Sequence, residues 1–479
     1  MKGNFIGGAW VAGARALPNV NPSDTRDLID HYAQADAAQA RHAVDAAAQA
    51  LPAWSATSPQ QRFDVLDQVG GELLARREAL GDLLAREEGK TLPEAIGEVV
   101  RAGQVFKFFA GEALRLSGES LASVRPGVTV DITREPIGVV ALITPWNFPI
   151  AIPAWKIAPA LAFGNTVVFK PAELVPGSAW ALAEILSRSG LPAGAFNLLM
   201  GRGAEVGPAL VDDPRVAGLS FTGSTATGRS LAQACAARGA KFQLEMGGKN
   251  PLVVLDDADL ELATHCAVQG AFFSTGQRCT ASSRLIVTQG VHDRFVDRLV
   301  TRLRSLTVGD ARSPGTDLGP VVDERQLDTD LGHIRDAQAQ GARLAFGGQP
   351  MARDARGHPG FYLQPALFTE TDNTMRISRE EVFGPVANVI RVRDYDEALA
   401  VANDTPFGLS SGVCTTSLKH ASHFKRHAQA GMVMVNLPTA GVDYHVPFGG
   451  RKASSMGARE QGRYAAEFFT AVKTSYTFA

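Results

Sequence analysis

Four cysteines are few for 479 residues, and Cys235, Cys266, Cys279 and Cys414 stand far apart. They form no CxxC pair and no spacing typical of a zinc site, so a disulfide scaffold is excluded and no metal site is expected. Thiols this sparse are expected to be reduced, in a cytoplasmic chain. Long apolar runs are absent as well. Met1 to Gly8 contains no apolar signal core, and no run reaches the length of a membrane span, so no membrane association is expected. Charge of one sign is not in excess either: the formal net charge is −2. With no long basic run, nucleic-acid binding through a phosphate-neutralising surface is set aside. Internal repeats and low-complexity tracts are missing too.

What is present is a globular balance of 45% hydrophobic and 20% charged residues, in a chain too long for a single core. Two or three domains are expected. After a short hairpin around Ile6 to Val11, the first ~130 residues read as helix-rich, with helical apolar spacing over Ala35 to Trp54 and Pro59 to Gly89. The rhythm then changes. Buried-strand runs at Gly138 to Ile143, Thr166 to Phe169, Phe196 to Met200 and Val216 to Phe221 alternate with helical stretches, among them Ile152 to Ala162 and Pro176 to Arg188. A second alternating block starts near Gly248: strands at Leu252 to Leu255 and Arg284 to Val287, helices at Leu260 to Phe273 and Asp293 to Leu306. The expected fold is two α/β domains in series, followed by a helix from Arg459 and a β-forming tail.

Several segments carry chemistry. Cys279 lies behind a glycine turn, Ser274-Thr275-Gly276-Gln277-Arg278-Cys279, and Glu245 opens a second glycine-bounded segment, Glu245-Met246-Gly247-Gly248-Lys249. A thiolate can attack a carbonyl, and a carboxylate can then prime a water to release the acyl group. The other three cysteines read as small buried hydrophobes. Asn147 sits between Pro145 and Pro149 after a strand end, where a stiffened amide could donate to an oxyanion or merely satisfy a turn. Lys170 and Glu173 follow the next strand; they can bond sugar hydroxyls, with Glu173 repelling a 2′-phosphate, or form a solvated pair. Phe221-Thr222-Gly223-Ser224 opens a helix whose N-terminus favours phosphate, although the GxGxxG fingerprint is not met. Arg278 can stabilise the thiolate or meet an anionic substrate group, or it can turn away and pair with a carboxylate. Glu380-Glu381-Val382-Phe383 fits a carboxylate on a sugar hydroxyl better than a metal, and a charged helix end is its alternative.

Together these segments, with Pro447-Phe448-Gly449-Gly450, stand in the order found in the aldehyde dehydrogenase superfamily, which the chain resembles over essentially its whole length. The resemblance implies Cys279 as nucleophile, Asn147 with the Cys279 backbone N–H as oxyanion hole, and Glu245 as general base for deacylation. It implies Lys170 and Glu173 at the adenosine ribose, Ser224 at the pyrophosphate, and Glu381 at the nicotinamide ribose with Phe383 beside it. Thr144, Pro145, Trp146, Phe221, Gly223 and Gly247 would complete the cofactor site; Arg278, Trp155 and Phe448 would face the substrate. Implied too are NAD as preferred cofactor, with NADP accepted by some relatives, and a Rossmann-like cofactor domain over residues 1–117 and 136–245. A catalytic α/β domain over 246–445 and a small β oligomerisation element over 118–135 and 458–479 complete the fold, giving a homodimer or homotetramer. Within the superfamily, Gln243 to Pro251, Thr275 to Arg284, Thr439 to Phe448 and Ala458 to Gly462 are similar to the α-ketoglutaric semialdehyde (2,5-dioxovalerate) dehydrogenases of sugar-acid oxidation. Another branch of that activity has an arginine where this chain has Trp155, which makes Arg278 the substitute candidate for carboxylate recognition. Succinic, glutaric and aromatic aldehydes remain alternative substrates. Glu245 argues against the CoA-acylating branch, and Cys279, Glu245 and Asn147 together argue against a non-catalytic relative.

Overall fold

The four strand runs of the first alternating block form one parallel sheet in the computed structural model, which describes residues 1–478. A fifth strand, Lys241–Glu245, joins them. Across the sheet the order is Phe196–Leu198, Thr166–Lys170, Val139–Ile143, Val216–Thr222 and Lys241–Glu245. The chain thus winds outward in both directions from Val139–Ile143, and the direction reverses between that strand and Val216–Thr222. Such a reversal leaves a crevice at the carboxyl ends of the two strands. The strands are buried along nearly their whole length, as sheets covered on both faces require. Helices Ala37–Ser55, Ala151–Ala162 and Pro176–Ser187 provide the cover. Every residue of Ala151–Ala162 is buried, which explains a helix that is apolar all round except at Lys156. The hairpin Asn4–Ile6 and Ala9–Val11 extends one edge antiparallel, and Ser455–Met456 extends the other.

The second sheet is parallel except at one edge: Ala366–Thr371, Val386–Val392, Arg284–Thr288, Pro251–Val254, Ser410–Cys414 and Met432–Val435, with Arg343–Phe346 antiparallel beside the first. Only residues 246–250 separate the end of Lys241–Glu245 from the start of Pro251–Val254. So short a link brings the carboxyl edge of the first sheet against the amino edge of the second. A third, antiparallel sheet of Glu119–Ala122, Val128–Pro136 and Thr470–Phe478 is largely exposed.

Three expectations are corrected. Pro59 to Gly89 is two helices, Pro59–Ala75 and Arg77–Glu88, because Arg76 leaves helical geometry and binds Glu72 and Glu184. No helix starts at Arg459: Glu460 pairs with Phe448 in a β-bridge, Gln461 takes φ +57°, and only a short turn at Ala466–Phe469 is helical. The N-terminal region also carries an unforeseen hairpin, Arg15–Val20 with Leu28–Gln34. Among the described residues no helix is long and apolar enough to cross a membrane.

Candidate active site

Thr144 to Asn147 leave the carboxyl end of Val139–Ile143, at the crevice. Asn147 is buried, and its Nδ2 donates to the Gln277 carbonyl at 2.9 Å. This is its single side-chain bond among the described residues, so the second amide N–H is left for another acceptor. The Asn147 carbonyl accepts from Lys90 Nζ at 2.6 Å, and Lys90 pairs with Glu98 at 2.7 Å. Glu98 also accepts from the N–H groups of Ile150 (2.9 Å) and Ala151 (3.1 Å), which would otherwise be orphans at the start of the buried helix Ala151–Ala162. Lys90, just before helix Leu92–Arg115, and Glu98 within it therefore form a charged pair that anchors the Asn147 loop.

Cys279 is approached through a contorted turn. Ser274 and Thr275 take φ +50° and +55°, and at Gly276 a Cβ would overlap the Gly384 carbonyl. The Cys279 carbonyl accepts from Asn250 Nδ2 at 2.8 Å, and a Cβ on Gly248 would come within 2.6 Å of it. The segment that follows Glu245 thus grips the loop that carries the thiol. Burial, then the Glu381 and Glu245 carboxylates, push the Cys279 thiol upward and so disfavour the thiolate. Arg278 does not relieve this. Its guanidinium binds Glu94 (2.9 Å), Ser274 Oγ (2.6 Å) and the Gln269 carbonyl (3.3 Å), so the carboxylate-paired alternative for Arg278 is the one found.

Glu245, the last residue of its strand, is buried and accepts from Ser455 Oγ at 2.5 Å. Burial, then Glu460, hold its carboxyl well above the ordinary carboxylate range. Glu460 is itself paired with the buried Lys156, whose Nζ reaches Ser220 Oγ at 2.8 Å. A cavity of about 320 Å³ opens onto Cys279, walled by Phe148, Ile152, Arg278, Val442 and the stacked rings of Trp155 and Phe448 (5.4 Å). Arg101, from helix Leu92–Arg115, lies on the same wall.

The cofactor candidates gather along the crevice. Ser224 caps helix Thr225–Ala237, its Oγ accepting from the Thr227 N–H at 3.4 Å. Thr144 Oγ1 and Thr222 Oγ1, at the ends of the two central strands, are buried with no partner among the described residues. Lys170 Nζ lies 4.0 Å from Glu173, and Glu173 accepts from the Gly203 N–H at 2.8 Å, at the start of helix Gly203–Val211. Glu381 accepts from the Gly248 N–H at 2.8 Å and presses on Gly247; burial pushes it up to about 7. The Phe383 ring meets Trp146 edge-on at 5.4 Å, and Phe221 packs under Gly223. Two helix N-termini, orphan hydroxyls and a lysine–glutamate pair at successive strand ends fit a dinucleotide.

Sequence reasoning passed over Lys90, Glu94, Glu98, Arg101, Lys156 and Ser455. A signal existed for three of them. Glu94, Glu98 and Arg101 recur at i, i+4 and i+7 in a helix whose Ala95, Val99 and Ala102 are fully buried, a stripe of charge beside the apolar face.

The sequence model of the aldehyde dehydrogenase family matches residues 10–475. The chain is 42% identical over 475 residues to an α-ketoglutaric semialdehyde dehydrogenase of Bacillus subtilis, covering 99% of this chain and 97% of that protein. It is 43% identical over 478 residues to the α-ketoglutarate semialdehyde dehydrogenase of Haloferax volcanii, covering 99% and 98%. Among solved structures, a betaine aldehyde dehydrogenase of Staphylococcus aureus in complex with NAD+ superposes with a TM-score of 0.97 at 33% identity, over 100% of this chain and 95% of that one.

Proposed function

The chain belongs to the aldehyde dehydrogenase family, and from that premise we propose that it oxidises α-ketoglutaric semialdehyde to α-ketoglutarate with NAD preferred over NADP. The observation that carries the reading is the joining of three segments: Asn147 bonds the Gln277 carbonyl, and Asn250, five residues beyond Glu245, bonds the Cys279 carbonyl. Cys279 Sγ loses its proton to solvent and adds as the thiolate to the aldehyde carbon, the carbonyl π pair moving onto oxygen. The resulting oxyanion is held by the free Asn147 N–H and the Cys279 backbone N–H. Bound NAD(P) supplies the hydride acceptor. Departure of hydride leaves an acyl thioester on Cys279. Glu245 takes a proton from water, the hydroxide displaces the thiolate, and the acid leaves. A carboxyl held above its ordinary range is the stronger base once ionised, which suits this step.

The keto-acid aldehyde is favoured by similarity to the B. subtilis and H. volcanii proteins. NAD over NADP follows from Glu173, whose charge opposes a 2′-phosphate. Residues 1–117 with 136–245 form the cofactor domain in this reading, 246–445 the catalytic domain, and 118–135 with 458–479 the oligomerisation element of a homodimer or homotetramer. Thr470–Phe478 supports the last point. It is a nine-residue strand at a sheet edge, with Val472, Tyr476 and Phe478 exposed, and an edge of that kind invites cover. Four free thiols fit a reducing, cytoplasmic setting. The test is NADH formation with α-ketoglutaric semialdehyde beside succinic, glutaric and aromatic aldehydes. A higher kcat/KM on an aromatic aldehyde overturns the substrate, and NADPH formed more efficiently than NADH overturns the cofactor preference.

A further inference from the structure

The wall of the cavity at Cys279 carries a cation that forms no contact ion pair among the described residues. Arg101 is half-buried on its wall, and among the described residues its guanidinium makes no ion pair and one hydrogen bond, to Gln461 Oε1 at 3.1 Å. Its carbon end lies over the Trp155 ring, 5.6 Å from the centroid. Among the described residues three buried donors around Arg101 have no acceptor, namely Arg101 Nε, Gln461 Nε2 and Trp155 Nε1, and Arg278 Nε elsewhere on the wall is a fourth. Leaving donors and a guanidinium unpaired away from water is costly, and one anion would relieve several of them at once. The neighbouring Arg278 differs in that its charge is already met by Glu94, although its Nε also lacks a partner among the described residues. Gln461 takes φ +57°, outside the region a glutamine prefers, to stand where it braces the guanidinium.

From this cluster we infer that Arg101 receives a carboxylate at the end of the substrate remote from the aldehyde, with Trp155 and Gln461 holding the guanidinium in place. The inference rests on Cys279 as the site of aldehyde oxidation, and it makes the substrate class short aldehydes that end in a carboxylate. Aromatic stacking on one face leaves the planar fork free to bind a carboxylate through two nitrogens.

The test compares matched aldehydes, succinic semialdehyde with butanal and glutaric semialdehyde with pentanal, by the ratio of kcat/KM within each pair. Wild-type enzyme should favour the carboxylated member. Arg101→Gln should lower that ratio about a hundredfold, chiefly through KM of the carboxylated aldehyde. Arg101→Lys, which keeps the charge and loses the fork, should lower it about tenfold and keeps the test open if the glutamine variant does not fold. Arg278→Gln should change both members of each pair alike. A wild-type enzyme that favours the neutral aldehydes removes the carboxylated substrate class altogether. A wild type that favours the carboxylated ones, with the preference intact in both Arg101 variants, overturns the role of Arg101 alone. A ratio that collapses in Arg278→Gln moves the role to that residue.

Discussion

Asn147→Ala separates two jobs of one side chain. The structural job is the bond from Nδ2 to the Gln277 carbonyl at 2.9 Å. Its loss leaves a buried carbonyl unpaired, at about 1–3 kcal/mol. The loop itself stays anchored, because Lys90 grips the backbone carbonyl of residue 147 and Glu98 holds the N–H groups of Ile150 and Ala151, none of which alanine removes. For a chain of 479 residues that penalty lowers Tm by roughly 1–3 °C. The proposed chemical job belongs to the second amide N–H, which would donate to the oxyanion. Losing one such donor slows the chemical step by about 10²- to 10³-fold. The expected variant is therefore folded, binds NAD like wild type, and has a kcat lower by two to three decades. Stopped-flow NADH formation with saturating aldehyde, beside NAD binding by fluorescence titration, reads the two jobs apart. Asn147→Asp should be as slow and less stable, because its oxygen would face the Gln277 carbonyl with no proton to share. Wild-type kcat in Asn147→Ala, with the small loss of Tm present, would refute the oxyanion assignment and leave only the structural bond.

Glu245→Gln should keep the NADH burst and then stall, with acyl mass retained on Cys279; an intact burst without that mass removes Glu245 as the base. Because burial and then Glu460 raise the Glu245 carboxyl, wild-type turnover should climb with pH along a limb displaced above the usual carboxylate range, and a flat profile between about pH 5 and pH 8 counts against the base. Glu381, pushed up from 4.5 to about 7 by burial, keeps in the folded state a proton that the unfolded chain has lost across that interval. Stability should consequently fall as pH rises through it, by about 3 kcal/mol from this one group, and Glu381→Gln should flatten the fall in denaturation measured at either end; an unchanged slope would show that Glu381 is ionised throughout. Glu173→Gln should raise the NADP-to-NAD ratio of kcat/KM by about tenfold, the scale of a screened repulsion between like charges, and no change would place the 2′-hydroxyl elsewhere.

The strands that could be read in advance share one property: Val139–Ile143, Thr166–Lys170 and Val216–Thr222 are covered on both faces and so are mostly apolar along their length. Lys241–Glu245 lies in the same sheet and escaped notice, because Gln243 and Glu245 are buried polar residues whose partners are far along the chain. Gln243 bonds Ser220 and the carbonyls of Ala458 and Arg459, and Glu245 bonds Ser455. A local pattern cannot signal that kind of compensation. The tail fails as a helix for the same reason: Glu460 is held by Lys156 and Gln461 by Arg101, and both ties override local propensity. Glycines and prolines punctuate the motif segments, and the link of residues 246–250 ends in Asn250, whose bond to the Cys279 carbonyl ties the Glu245 segment to the Cys279 loop. Chain adjacency alone could not give the partner of Arg278, which lines the cavity and pairs with Glu94. The left-handed turn at Ser274, Thr275 and Gly276 that delivers Cys279 carries Arg278 onto Glu94. Its rival, Arg101, belongs to the stripe of Glu94, Glu98 and Arg101, where three successive charges on one helix serve three different parts of the site. Glu94 holds the turn before Cys279, Glu98 holds the Asn147 loop through Lys90, and Arg101 stands in the substrate cavity. Charges set beside the buried face of a long amphipathic helix are costly unless each meets a partner. Two of the three have an oppositely charged partner within the protein, and the absence of one for Arg101 among the described residues is the physical reason to look for it in the substrate.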